Sequence, residues 1–146
     1  MIEIFYSIVN TVFFIGYIRG GGTIVSLLFF LFLFLFQNVN FFIIYYLFVF
    51  ILFLSYVSIS NSKKFSGDDR RIVVDELLGA IMSIMFLPEN FFVIFFSILI
   101  FRYLDIVKIF YLKKFENIEG PTGIILDDIM AGIIANLITH LIILVI

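Results

Sequence analysis

Apolar residues fill six stretches of the chain, and short polar clusters punctuate them. Residues 1–18 are apolar apart from Glu3 and a few small polar residues, and Arg19-Gly20-Gly21-Gly22 ends that stretch. Further apolar runs cover 23–36, 41–59, 69–87 (after an acidic and basic start) and 91–107, and the last begins after Gly120-Pro121-Thr122-Gly123 and continues to Ile146. Several approach the roughly 20 residues that a helix needs to cross a bilayer. The pattern predicts an all-α, polytopic membrane helical bundle with about four to five membrane-embedded helices. Residues 1–18 lack the basic start and small-residue cleavage site of a signal peptide, so they are read as a retained N-terminal helix, interfacial or spanning. Residues 23–36 are short for a full crossing and 41–59 are adequate, with Gln37-Asn38-Val39-Asn40 as the turn of a helical hairpin. A third long helix is expected over 69–87, stopping at Pro88. One integral-membrane domain over 1–146 accounts for the whole chain.

Composition supports this reading. With 64% hydrophobic residues and a mean hydropathy of +1.25, the chain is too apolar for a soluble globule. Its 22 phenylalanines are read as lipid-facing filler. A net charge of -2 offers no basic surface for nucleic acid. There is no cysteine and one histidine, which excludes thiolate nucleophiles, disulfides, zinc-thiolate sites and mechanisms that need two imidazoles. Any chemistry rests on carboxylates, cations and backbone.

The carboxylates stand in unusual places. Asp75 and Glu76 lie in Ile72-Val73-Val74-Asp75-Glu76-Leu77-Leu78-Gly79, Asp105 in Phe101-Arg102-Tyr103-Leu104-Asp105-Ile106-Val107-Lys108, and Asp127 and Asp128 in Gly123-Ile124-Ile125-Leu126-Asp127-Asp128-Ile129-Met130-Ala131-Gly132. A charge inside a membrane segment costs roughly 2.5–3.5 kcal/mol on insertion scales, so such residues need partners and mark function. Basic loops face the cytoplasm. Arg19, the 63–71 loop and the 108–114 loop all do so if each intervening pair of apolar runs crosses out and back. The five carboxylates then share one membrane depth, near the cytoplasmic side.

Five clustered anions repel unless cations intervene. Oxygen donors without His or Cys suit Mg2+, one ion or two, and not zinc. Arg102 and Lys108, with the backbone at Gly22 and Thr23 where glycines open a helix, are placed to hold a phosphate against the metal. That combination points to phosphoryl chemistry on a lipid headgroup by metal-activated water, with Asp75, Glu76, Asp105 and Asp128 as candidates for taking part and one of them as the base. The spacing of Arg102, Asp105 and Lys108 equally allows a salt-bridge ladder at a helix end. Asp68 and Asp69 read as helix-start acids, with Arg70 and Arg71 open to lipid-phosphate contact. Gly79 and Ser83 form a small-residue strip for close helix packing, and Asp128, Gly132 and Asn136 form a polar and small stripe. His140 lies about 18 Å along its helix from Asp128 and is read as incidental.

These three acidic stretches together resemble the signature of the phosphatidylglycerophosphatase A family, bacterial membrane enzymes that remove the terminal phosphate of phosphatidylglycerol phosphate. The resemblance runs over about 71–135, with a weaker echo at 20–27, where Gly22, Thr23 and Ser26 match while Gly21 replaces a proline and Val25 a glycine. It implies a Mg2+-dependent phosphatase of phospholipid biosynthesis, multi-pass in the bacterial cytoplasmic membrane, with its site on the cytoplasmic side. It places the family's Asp-Glu on Asp75 and Glu76, its Arg and Asp on Arg102 and Asp105, its Lys on Lys108 and its Asp-Asp on Asp127 and Asp128. The metal set it implies is therefore Asp75, Glu76, Asp105, Asp127 and Asp128. Competing readings are a small divalent-cation carrier or channel, and a phosphatase acting on another lipid phosphate.

Overall fold

The structure is a computed structural model that describes residues 1–36, 40–65, 69–107, 118 and 120–145. Among the described residues there are six α-helices and no strand: α1 Ile2–Asn10, α2 Gly21–Leu35, α3 Phe41–Asn61, α4 Val74–Ile84, α5 Phe91–Val107 and α6 Pro121–Val145, with a 3-10 turn at Ile15–Tyr17. Two of them, α3 and α6, are long and apolar enough to cross a membrane.

Local chemistry starts several helices where the sequence suggests. The Asn40 side chain accepts from the Phe42 N–H at 3.0 Å and caps α3. Asn90, two residues after Pro88, accepts from the Phe92 N–H at 2.9 Å at the start of α5. Gly120 takes a left-handed φ of 89° and Pro121 follows as the first residue of α6, where a missing N–H costs nothing.

Helix α4 is the centre of the bundle and is shorter than its apolar run. It packs most extensively against α6 and also against α2, α3 and α5. Leu78, Ala80 and Ile81 are completely buried. Its 11 residues, about 16 Å of helix, are fewer than the run from 69 to 87 predicts. At the start, Asp69 closes a turn, accepting from Ile72 N with its carbonyl and from Arg71 N with its carboxylate, and the Val73 N–H is drawn to the Asn10 carbonyl of α1 at 2.9 Å. At the end, Asn136 of α6 donates to the carbonyls of Ser83 and Met85, and Ser97 of α5 donates to that of Ser83. Side chains from two other helices thus satisfy the carbonyls that a longer helix would have used. Phe86 then turns the chain with a φ of 61°.

Glycines set the α4–α6 contact. A Cβ at Gly79 would collide with the Phe101 ring and with the Asp128 carbonyl, and one at Gly132 would collide with the Gly79 carbonyl. The two helices therefore meet backbone to backbone, the close approach that small residues permit.

The N-terminal stretch also differs from a single helix over 1–18. Helix α1 ends at Asn10, and Val12, Phe13 and Phe14 adopt left-handed φ values of 43°, 54° and 69°. The Thr11 hydroxyl donates to the Ser7 carbonyl and accepts from the Phe14 N–H, while Gly16 N–H reaches the Thr11 carbonyl. These bonds hold a reversal that no glycine in 10–15 signals. With 9 residues, about 14 Å, α1 is too short to span. It lies along the end of α3, where Ser58 donates to the Tyr6 carbonyl and the Glu3 carboxylate accepts from Lys63 N–H.

Candidate metal and phosphate site

The close crossing of α4 and α6 explains how the acidic residues meet. Asp75 stands four residues before Gly79 and Asp128 four before Gly132, so each carboxylate projects one turn ahead of the glycine contact, from the end at which both helices begin. Glu76 follows Asp75 on the first turn of α4 and its N–H donates to the Asp75 carboxylate at 3.0 Å. One oxygen from each of Asp75, Glu76 and Asp128 lies within 4.8 Å of the others. Asp75 and Asp128 are buried, at 7% and 5% exposure.

Three carboxylates this close, shielded from water, repel one another strongly unless they take up protons or a cation stands among them. Their donors also fit one. The set is all oxygen, as Mg2+ requires, and the Glu76 Oε2 atom is buried with no hydrogen-bond partner among the described residues. An unpartnered, buried carboxylate oxygen on a member of the trio is the kind of donor that a hard divalent cation takes.

Asp105 and Arg102 flank this trio from α5. Asp105 is close enough to Asp128 for the two carboxylates to repel. It is also bound by Arg102 Nη1 at 2.5 Å, with both side chains nearly buried. Arg102 Nη2 donates to the Thr23 hydroxyl at 3.2 Å, which ties α5 to the first turn of α2. The Arg102 Nε–H is buried without a partner among the described residues, leaving one charged donor uncommitted beside the carboxylates. The sequence offers a salt-bridge ladder for this helix face, and the Arg102–Asp105 pair is one rung of it.

Helix α2 closes the site through glycine. Gly20 caps it with a left-handed φ of 80°. A Cβ at Gly22 would fall on the Glu76 carboxyl group, so the helix start is pressed against that side chain. The sequence suggests Gly22 and Thr23 here for their backbone N–H groups; the contacts found are Gly22 against the Glu76 carboxylate and Thr23 through its hydroxyl on Arg102.

The remaining candidates lie as follows. Asp127 is buried on α6, at 7% exposure, one residue from Asp128 and outside the closest trio. Lys108 lies outside the described residues. His140 is partly buried far along α6 from Asp128. Asn136, which the sequence places in a polar stripe, acts instead as the side chain that ends α4; an amide one turn beyond Gly132 on the crossing face is the available signal.

No curated protein and no solved structure matches the chain. A family model described as phosphatidylglycerophosphatase A matches residues 8–143. That span takes in the glycine-started helix, the Arg102–Asp105 pair and the buried carboxylate trio together, and with nearly its whole length matched the chain belongs to the phosphatidylglycerophosphatase A family.

Proposed function

We propose that this protein hydrolyses phosphatidylglycerol phosphate to phosphatidylglycerol and inorganic phosphate, a step of phospholipid biosynthesis, with Mg2+ as cofactor. The observation that carries the reading is the Asp75, Glu76 and Asp128 trio within 4.8 Å, standing beside a buried arginine in an apolar bundle. Family membership supports phosphatase activity; the metal and the side of the membrane are our inference.

In this reading Asp75, Glu76 and Asp128 hold the cation, with Asp105 and Asp127 completing the acidic set. Bound Mg2+ supplies neutralisation of phosphoryl charge and activation of a water for in-line attack. Arg102 binds the phosphate through its uncommitted N–H, and Lys108 and the α2 start at Gly22 and Thr23 hold the other oxygens. Asp105, bound to Arg102 and next to Asp128, is placed to take the proton of the attacking water. The burial of the trio keeps bulk water from screening these charges.

The domain is read as one multi-pass membrane unit over 1–146, in the cytoplasmic membrane, with the basic loops and the site on the cytoplasmic side. A cation carrier should hold its ligands near the bilayer midplane between repeats. Here the acids stand on the first turn of α4 and within the first eight residues of the 25-residue α6, toward the end at which both helices begin, which favours the enzyme.

The direct test is phosphate release by the purified protein from phosphatidylglycerol phosphate, with Mg2+ and with a chelator, beside phosphatidate and a polyprenyl phosphate. Mg2+-dependent release that favours the first substrate is expected. Release from none of the three by folded protein would overturn the proposal.

A further inference from the structure

The end of the bundle that carries the acids also carries a second arrangement that the reaction does not use. Lys64 Nζ stands 5.2 Å from the Tyr17 ring centre and 5.8 Å from that of Phe65. Arg71 Cζ stands 5.8 Å and 5.1 Å from the same two rings. Two cations thus share two aromatic faces, an attraction that grows as water is excluded. Arg71 also grips Asp69 through Nε at 2.9 Å, and its guanidinium holds that carboxyl below the ordinary range, so the pair stays ionised at neutral pH.

This patch joins two segments far apart in sequence. A Cβ at Gly16 would collide with the Arg71 carbonyl, so the chain before Tyr17 lies directly on the chain after Asp69. The left-handed reversal at Val12 to Phe14 turns Phe13 and Phe14 outward, at 78% and 50% exposure, with Ile18 beside them. Phe14 packs on Tyr17, ring centres 6.2 Å apart. Among the described residues of this patch, five cations (Arg19, Lys63, Lys64, Arg70 and Arg71) face two acids, Asp69 and Glu3, the latter accepting from the Lys63 N–H. Arg19, Lys63, Lys64 and Arg70 are all exposed.

We propose that this patch binds the headgroup of an anionic bilayer phospholipid, distinct from the lipid being hydrolysed. The exposed Phe13, Phe14 and Ile18 edge fits the acyl region. The cations beside it stand at the depth of the phosphates, since they lie where α3 ends and α4 begins. An apolar edge backed by excess positive charge is the composition of an interfacial lipid contact. Its role is to hold the site end of the bundle against an anionic leaflet.

The chain has no tryptophan, so Tyr17→Trp provides a single reporter within the patch. The protein is placed in mixed phosphatidylcholine and phosphatidylserine vesicles in which one lipid or the other carries bromines high on its acyl chains. Phosphatidylserine is neither substrate nor product of the proposed reaction, and quenching reads lipid proximity without any turnover. Brominated phosphatidylserine should quench more than brominated phosphatidylcholine at equal mole fraction. The preference should fall with added salt and in Lys64→Gln/Arg70→Gln, by up to about fivefold per cation removed. A tryptophan at exposed Phe92, at the opposite end of α5, should show no headgroup preference. Equal quenching at position 17 by both lipids, the result expected if the patch received a protein or were only solvated, overturns the proposal. A preference unchanged by salt and by the double substitution overturns it as well.

Discussion

The carboxyl group of Glu76 occupies the space that a side chain at Gly22 would need. Glycine is therefore required there by close approach of helix and carboxylate. Gly22→Ala should displace Glu76 from Asp75 and Asp128 and weaken Mg2+ binding by about 10- to 100-fold, the cost typical of disturbing support around metal ligands. Calorimetric titration of the purified variant with Mg2+ would check this, and wild-type affinity would mean that Glu76 is not a ligand.

Asp128 stands a turn ahead of the α4–α6 glycine contact and supplies one corner of the trio. Asp128→Asn keeps its size while removing the charge. The variant should insert and remain folded yet lose phosphate release by at least about 100-fold, since one of three clustered donors becomes neutral. Circular dichroism and an activity assay on the same sample separate the two effects, and normal turnover would remove α6 from the site.

Arg102 links Asp105 on its own helix to Thr23 on α2. Replacing it by alanine leaves Asp105 near Asp128 without its cation, while Arg102→Lys keeps the charge but loses the two-armed geometry. Both variants should lower kcat/KM, alanine more, chiefly through KM. An unaltered kcat/KM in Arg102→Ala would reduce this arginine to a structural ion-pair partner.

Val12 is a β-branched residue with a φ of 43°, inside the reversal between α1 and the 3-10 turn. A left-handed residue with a Cβ costs about 1–2 kcal/mol, whereas the extra unfolded-state freedom of glycine takes back about 0.5–1 kcal/mol. Val12 is also partly buried against the core, so glycine loses on the order of 1–2 kcal/mol of apolar contact as well. Packing and chain entropy together outweigh the strain: Val12→Gly should lower the unfolding midpoint in detergent, corresponding to about 1 kcal/mol, and a raised midpoint would show that the backbone strain is the larger effect.

The chain has no cysteine, so Lys64→Cys creates a single site for a membrane-impermeant thiol reagent. Labelling is expected only from the cytoplasmic side. Labelling from the outside alone would invert the arrangement of the basic loops and of the acidic site with them.

Several elements are legible along the chain because their causes are local. Asn40 and Asn90 cap the helices that follow them, and Phe91–Val107 is helical throughout, as its apolar run implies. Asp75, Glu76 and Asp128 are conspicuous because ionisable groups are rare in such runs. The length of α4 is not legible in this way. Its end depends on Asn136 and Ser97, whose amide and hydroxyl reach Ser83 across 53 and 14 positions of sequence. The reversal at Val12 to Phe14 is equally hidden, since bulky residues are poor candidates for left-handed backbone and only the surrounding hydrogen bonds impose it.

Hydrophobic runs and turn residues act on the backbone within a few positions, and from them alone follows an all-helical, strongly apolar chain with a few ionisable residues set near helix ends. Which of those residues touch is a matter of packing between helices. Two glycines let α4 and α6 meet closely enough to gather Asp75, Glu76 and Asp128, while Asp105 is drawn into an ion pair with Arg102. Such contacts depend on distances of a few ångströms between helices, and no local pattern along one chain sets those.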